Sequence, residues 1–468
     1  MRDILRNPVM NKPLPLALSL SVALAGCSLA PDFLRPAAPV PATWPTQAAD
    51  SAAAQPVPED WRAYFTDARL QAPIAAALEH NRDLRISLAR VDEARALAGL
   101  ARADRFPTVD ANLQRQAALT PGDLTPTGRQ TFSQRFDANL GIAAFELDFW
   151  GRVKNLDDAA RANFLASEYA QRAFRLTLIG DVASAWYALR ELEARSALAE
   201  ATVASRAESR KLIEQRRDVG LAGDLDYYAA DGAWAAARAE AANLARQKAA
   251  AENALNLLVG TSLPPSPAGS SAMAEAPALR VGLPSEVLLR RPDVLAAEQK
   301  LIAANANIGA ARAAFLPRIL LTVVAGSASP ALSGLFQGGS SAWNFVPLLK
   351  YPLFDAGRAE SSVDLAEARK HIAVAEYEKT IQQAFREVAD LLDARERYAE
   401  QLQALESASA AQGERLQRVD ARYKAGMSSY LELLDAQREH FAAQQSVLAA
   451  RRALAATGAS LYKALGGG

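Results

Sequence analysis

The sequence predicts a mainly helical chain written twice, with each copy a long antiparallel helical hairpin carrying a pair of β-strands near its base. Three observations lead there. Apolar residues recur every three or four positions over very long stretches, as at Ile179, Val182, Trp186 and Leu189 and again at Ile381, Phe385, Val388, Leu391 and Leu392. Four motifs recur in the same order. Two short stretches in each copy change from helical periodicity to strict alternation.

The repeat is visible residue by residue. "ARADRFPTVDANL" (Ala101 to Leu113) resembles "ARAAFLPRILLTV" (Ala311 to Val323), and "LDFWGR" (Leu147 to Arg152) resembles "LFDAGR" (Leu353 to Arg358). "RRDVGLAGDLDYY" (Arg216 to Tyr228) resembles "RYKAGMSSYLELL" (Arg422 to Leu434), and "ALNLLVG" (Ala254 to Gly260) resembles "SLYKALG" (Ser460 to Gly466). The last three pairs share an offset of 206 residues and the first has 210. Composition agrees: abundant alanine with Leu, Glu, Arg and Gln suits long, closely packed helices. Lys and Arg number 52 against 52 Asp and Glu, so nothing points to a nucleic-acid surface.

In chain order, Arg2, Arg6 and Lys12 precede the apolar run "LPLALSLSVALAG" (Leu14 to Gly26). That run is too short for a spanning helix, which needs about 20 residues, and fits an export signal over residues 1–26. "LAGC" (Leu24 to Cys27) resembles the bacterial lipobox, whose cysteine is lipidated and becomes the first mature residue. Cys27 is the only cysteine, so no internal disulfide competes for it. Ser28 follows it where an aspartate would favour inner-membrane retention, which points to the outer membrane. A lipid-anchored extended segment is expected over residues 27–60.

The first copy is expected over 61–260. A helical pattern (Arg69–Arg105) stops at Phe106-Pro107, where proline restricts the preceding residue. Strands follow near 107–116 and 132–147, then a helical hairpin over 153–258 with its turn near Gly220. A Pro, Ser and Gly-rich linker covers 261–283. The second copy, 284–468, has a helical pattern (Pro292–Ala314), strands near 318–328 and 341–351, and a hairpin over 357–465 turning near Gly426. The long arms, about 66 residues each, reach roughly 100 Å. Gly220 and Gly426 suit a left-handed helix end, and Ser429 with Glu432 has capping-box spacing. No stretch after the signal has 18 uncharged apolar residues, so no spanning helix is expected there.

The strands bear on the membrane question. In "VDANLQ", Val109, Ala111 and Leu113 share one face, opposite Asp110, Asn112 and Gln114. In "RFDANLGI", Phe136, Ala138, Leu140 and Ile142 alternate with Arg135, Asp137, Asn139 and Gly141. About ten such residues fit a transmembrane β-strand, although a small soluble sheet would alternate in the same way. Four strands cannot close a barrel, and open sheet edges are not tolerated in lipid. Strands that cross a membrane would therefore have to be shared among several chains.

Taken together, the lipobox, the two-fold repeat, the "LDFWGR" and "LFDAGR" motifs, and "RYKAGMSSYLELLDAQ" resemble the outer membrane efflux proteins, the TolC-like and OprM-like outer membrane factors. "LRRPDVLAAEQKLIAANANIGAARAAFLP" (Leu289 to Pro317) resembles the lipoprotein branch serving RND-type multidrug pumps. The resemblance implies a homotrimer with a shared 12-stranded β-barrel through the outer membrane and a trimeric α-barrel across the periplasm. It implies a passive conduit with no cofactor, docked on a periplasmic adaptor and an inner-membrane pump. The turns at Gly220, Leu221, Gly426 and Met427 would form the closed, adaptor-facing tip. Leu431 and Asp435 match an apolar and an acidic pore ring, and Tyr423 and Asp226 match a pair tying the hairpins together. Ser428 stands where some relatives have an arginine, leaving Arg422 or Lys424 as substitutes for a latch.

Two other classes compete. A lipid-anchored coiled-coil scaffold or adaptor without a pore would explain the helices but not the duplicated strand pairs. An exported hydrolase would need a nucleophile or metal constellation, and neither HExxH nor G-x-S-x-G occurs. His80, His371 and His440 lie far apart in sequence and read as helix-surface residues with no metal to hold.

Overall fold

The computed structural model describes residues 28–44, 60–264 and 287–467. Cys27, the expected signal and most of the expected linker lie outside the described residues. In chain order the elements are α1 (Trp61–Tyr64), α2 (Ala68–His80), α3 (Arg82–Ala103), β1 (Val109–Thr120), β2 (Thr131–Leu147), α4 (Arg152–Asp218) and α5 (Asp224–Val259). The second copy supplies α6 (Pro292–Arg312), β3 (Arg318–Ser329), β4 (Ser341–Lys350), α7 (Arg358–Lys424) and α8 (Tyr430–Ala464). Of the described residues, 28–36, 92–167 and 297–377 group into one compact unit, and the rest into a second.

In the first unit the four strands form one antiparallel sheet in the order β1-β2-β3-β4. The register aligns the alternation read from sequence: Val109 faces Ile142, Ala111 faces Leu140 and Leu113 faces Ala138, while Asn112 faces Asn139 and Gln114 faces Asp137. The apolar face continues through Phe345 and Trp343, opposite Val323 and Ala325. These residues are not packed away; Leu113 is 76% exposed and Trp343 80%. A bulge between Ile142 and Phe145 shifts the β2–β3 register, and there Ala144 adopts φ 49°, with its N–H donating to Thr322 Oγ1 at 3.1 Å.

The "LDFWGR" and "LFDAGR" motifs are the strand-to-helix corners. Asp148 Oδ2 accepts from the Lys154 N–H at 2.7 Å, and Asp355 Oδ2 accepts from the Ala359 N–H at 2.9 Å. Each carboxylate thereby satisfies an otherwise orphaned donor at the start of a long helix. At the same end, alanines Ala159 and Ala162 of α4 meet Ala303 and Ala306 of α6. The N-terminal segment lies along this pair. Arg35 forms a two-pronged bond to the buried Glu298 at 2.7 and 2.8 Å, Asn305 Nδ2 donates to the Pro31 carbonyl at 2.7 Å, and Ser28 Oγ donates to Asn155 Oδ1 at 2.8 Å.

The second unit holds the main core. Tyr64, Phe65, Ile74, Ile179, Val182, Trp186, Leu255 and Tyr462 are all buried in one cluster. The Tyr64 ring lies 4.8 Å from both Phe65 and Tyr462, and its hydroxyl donates to the Gly458 carbonyl at 2.7 Å, so the aromatic body is buried without stranding its polar end. The helical pattern read as one run, Arg69–Arg105, is two helices broken at Asn81. Asn81 Oδ1 accepts from the Leu84 N–H at 2.7 Å, starting α3. Its Nδ2 donates to the Leu258 carbonyl at 2.7 Å. Asparagine's capping chemistry thus overrides continuous periodicity. Strand β1 also runs four residues past its expected end at 116, to Thr120.

Helices α4 and α7 are 67 residues each, about 100 Å at 1.5 Å per residue. The repeat extends to backbone conformation, because Gly151/Gly357, Gly220/Gly426 and Gly260/Gly466 all have positive φ. At Gly220 and Gly426, φ is 76° and 75°, and a Cβ there would meet nothing within 4 Å. Backbone handedness alone therefore demands glycine at both turns. Gly232, inside α5, is equally open around its missing Cβ. Gly220→Ala should destabilise by about 1 kcal/mol, whereas Gly232→Ala should stabilise by about 0.5–1 kcal/mol. Urea-unfolding midpoints of the detergent-solubilised protein should therefore move in opposite directions, and equal signs would defeat this account of the turns.

Candidate functional site

Both hairpins end in the same motif. At the first, the Gly220 N–H donates to the Arg217 carbonyl at 2.9 Å and the Leu221 N–H to the Arg216 carbonyl at 2.7 Å. At the second, Gly426 donates to Tyr423 at 3.0 Å and Met427 to Arg422 at 2.8 Å. Each pair is a Schellman closure, which satisfies the last carbonyls of the long helix. The return helix α8 is capped by Ser429, whose Oγ accepts from the Glu432 N–H at 3.2 Å. Leu221, Leu225 and Met427 are 78%, 83% and 66% exposed, so the turns present apolar side chains outward.

Just above the turns the two hairpins pack on a small core of Ile213, Ala230, Val419, Tyr430, Leu433 and Ala436. Burial pushes the Tyr430 phenol up from its ordinary range. The expected partnership of Tyr423 with Asp226 is not made. Tyr423 Oη instead accepts from Arg216 Nη1 at 3.4 Å, and the Arg216 guanidinium lies over the Tyr423 ring, 5.5 Å from its centre. A long guanidinium from the last turn of α4 covers the tyrosine, whereas Asp226 lies in the first turn of α5, its N–H held by the Gly223 carbonyl at 3.2 Å. Tyr423 still ties the second hairpin to the first, through a cation rather than a carboxylate.

Leu431 and Asp435 lie one turn apart on α8, with Leu431 70% exposed. Asp435 is matched within its own chain. Arg415 of α7 reaches one carboxylate oxygen at 2.7 Å and Arg438 of α8 reaches the other at 3.0 Å. Neither substitute for the missing latch arginine extends across a hairpin. Arg422 Nη2 donates to the Met427 carbonyl of its own turn at 3.3 Å, and Lys424 pairs with Asp420 on its own helix at 2.6 Å. Ser428 Oγ is enclosed and makes no hydrogen bond.

Sequence reading missed Arg216, Arg415 and Arg438. Arg438 is three residues from Asp435 on one helix, a spacing that signals a pair. The other two contacts cross between helices and leave no trace in local spacing. Cys27 lies outside the described residues, and its neighbour Ser28 is bonded to Asn155 beside the β2–α4 corner.

Against this geometry stand three comparisons. The chain matches the family model of the outer membrane efflux proteins over residues 74–261 and 283–467. It is 43% identical to the solvent efflux pump outer membrane protein SrpC of Pseudomonas putida over 456 residues, covering 95% of this chain and 96% of that one. The outer membrane protein OprJ of Pseudomonas aeruginosa is 43% identical over 459 residues, covering 97% and 95%. The open state of the MtrE outer membrane channel of Neisseria gonorrhoeae superposes with a TM-score of 0.85 at 35% identity, covering 94% of this chain and 98% of that one. The chain belongs to the outer membrane efflux protein family, whose fold joins an α-barrel to a β-barrel, and it is the outer membrane channel component of an efflux system.

Proposed function

We propose that three copies of this chain assemble into one passive conduit, with no catalytic step and no cofactor, running from the periplasm through the outer membrane. The observation that carries this is the sheet. It exposes an apolar face, including Leu113, Leu140, Phe345 and Trp343, while β1 pairs only with β2 and β4 only with β3 among the described residues. Joining β4 of one copy to β1 of the next satisfies both edges and turns the apolar face to lipid. Three copies make twelve strands, within the range of bacterial barrels. The energy source is an inner-membrane pump, read as RND-type from the "LRRPDV…" segment, reached through a periplasmic adaptor at the apolar turns around Leu221 and Met427. SrpC is named for solvent efflux, which makes small apolar molecules the first cargo to test.

The same reading gives Cys27 an acyl anchor. Its described neighbour, Ser28, is held by Asn155 beside the β2–α4 corner. Several acyl chains anchor firmly where one alone binds weakly. Wild-type protein should incorporate radioactive palmitate, and Cys27→Ala, with a working signal-peptidase site, should not. An unlabelled wild type would remove the anchor.

Detergent-corrected mass measurement should give three chains per particle; a monodisperse monomer that conducts ions would overturn the shared barrel. Gating is placed at the hairpin ends, where Arg216 ties α4 to Tyr423. Tyr423→Phe loses one weak hydrogen bond but keeps the ring under Arg216. Arg216→Ala loses both, worth about 0.5–1 kcal/mol per copy for the ring contact alone. Single-channel conductance in planar bilayers should therefore rise more for Arg216→Ala than for Tyr423→Phe. Equal, wild-type conductance in both would place the constriction elsewhere while leaving the channel reading intact.

A further inference from the structure

Between α4, α5 and α8, above the hairpin turns, lies a cavity of about 410 Å³. Its α5 wall is a stripe of alanines, Ala229, Ala233, Ala236 and Ala237, spaced to share one helical face. The cavity arises where the two copies diverge. At the positions of α8 equivalent to Ala229 and Ala233, offset by 206 residues, the chain carries Asp435 and Glu439. Alanines stop short of the facing helix and leave a space, closed on the α8 side by Leu434 and Phe441. Its size falls within the span of small-molecule sites.

One wall residue is out of place in an alanine-lined space. Arg206 lines the cavity and is only 7% exposed. Its guanidinium donates to Gln437 Oε1, yet among the described residues no carboxylate lies within ion-pair distance of it. An arginine does not shed its proton to escape burial, so a full positive charge stays there, faced by the Gln437 amide and the Tyr430 hydroxyl, both neutral groups. Buried charges are otherwise paired. The other charges on the cavity differ: Asp435 and Arg438 are bonded to each other, and Glu240 is half-buried.

We propose that this cavity binds an amphiphilic monoanion, its carboxylate or sulfonate on Arg206 and its apolar body along the alanine stripe of α5 against Leu434 and Phe441. Charge-assisted bonds to a guanidinium are strong and geometrically selective, and the apolar wall is removed from water by the ligand body. Glu240 repels a second negative charge, which sets the preference for a monoanion. The occupant touches α4, α5 and α8 together, and α8 carries Leu431 and Asp435 on its first turns. Resting on the gating reading above, a ligand there favours whichever arrangement of the hairpins keeps the cavity open, and biases the mouth by its difference in affinity between the two arrangements.

The test is a fluorescence titration of the full chain in lipid nanodiscs with 8-anilinonaphthalene-1-sulfonate, which carries one sulfonate on an apolar body. Empty nanodiscs supply the background from dye in lipid. The wild type should show a saturable component. Arg206→Gln should weaken it at least about tenfold, the scale of one lost charge-assisted bond, and Arg206→Lys should retain most of it. Ala233→Phe fills the cavity, leaves Arg206 in place, and should abolish the component with helical circular dichroism unchanged. Saturable binding that is unaltered in Arg206→Gln or in Ala233→Phe overturns the site, as does a wild type with no saturable component. The titration needs no conductance, so failure of the site and failure of the gating reading are distinguishable.

Discussion

The unpaired outer edges of β1 and β4 are the constraint from which the rest of this structure follows. In water those N–H and C=O groups would be solvated. In lipid each costs several kcal/mol, and the exposed apolar face of the sheet suits it to lipid. A chain with this sheet cannot complete its own fold alone. In the proposed shared barrel, the number of copies that closes it also fixes the number of long helices, because every strand pair feeds one helical hairpin through a capped corner. Barrel closure and tunnel width are one decision, taken by strand count.

Duplication supplies the geometry, and divergence supplies the differences between hairpins. Both copies share the corner glycine, the Schellman turn and the left-handed closing glycine. Their aromatic cross-helix chemistry is not shared, although the first hairpin also has an ion pair, Arg210–Asp231. The α4–α5 hairpin is stapled by an alternating ladder: Arg217 lies 4.1 Å from the Tyr227 ring centre, and Arg210 lies 5.6 Å from Tyr227 and 5.1 Å from Trp234. Arg238 stacks on the other side of the ladder, 4.8 Å from Trp234. The positions equivalent to Tyr227 and Trp234 in the second copy are Leu433 and His440, so this ladder cannot form there. The α7–α8 hairpin is instead joined by ion pairs, Arg415–Asp435 and Arg451–Glu406. Exposed pairs of this kind contribute about 0–1 kcal/mol and are screened by salt, whereas the ladder also buries ring surface.

How much of this was legible in the sequence depends on the range of the interaction. Helices, strands and turns were readable because periodicity, Gly220, Gly426 and Ser429 act on their own neighbours. Which face of each strand is apolar was readable from the alternation, but the register was not, because a slip of two residues keeps Val109, Ala111 and Leu113 on that same face. Asn81 hid its break in helical periodicity because an asparagine caps a helix only when the backbone has turned there. At the tip, the locations of Leu431 and Asp435 could be assigned by resemblance. The α7 partner of Asp435 could not, because Arg415 reaches it across a helix crossing that no spacing encodes, as Arg216 reaches Tyr423.

On the gating reading proposed above, those partners change the electrostatics of the mouth. A bare carboxylate repeated around a narrow axis would suffer mutual repulsion and draw in cations. Asp435 already accepts from two guanidinium groups of its own chain, so each copy brings one negative and two positive charges to the same level, with Glu439 sharing Arg438. On that reading the repulsion between copies is correspondingly reduced. Removing Arg415 would expose more of the carboxylate to the axis than removing Arg438, since Arg415 makes the shorter bond and anchors it to a different helix. The sign of the mouth is therefore set as much by how α7 and α8 pack as by which acidic residue stands there.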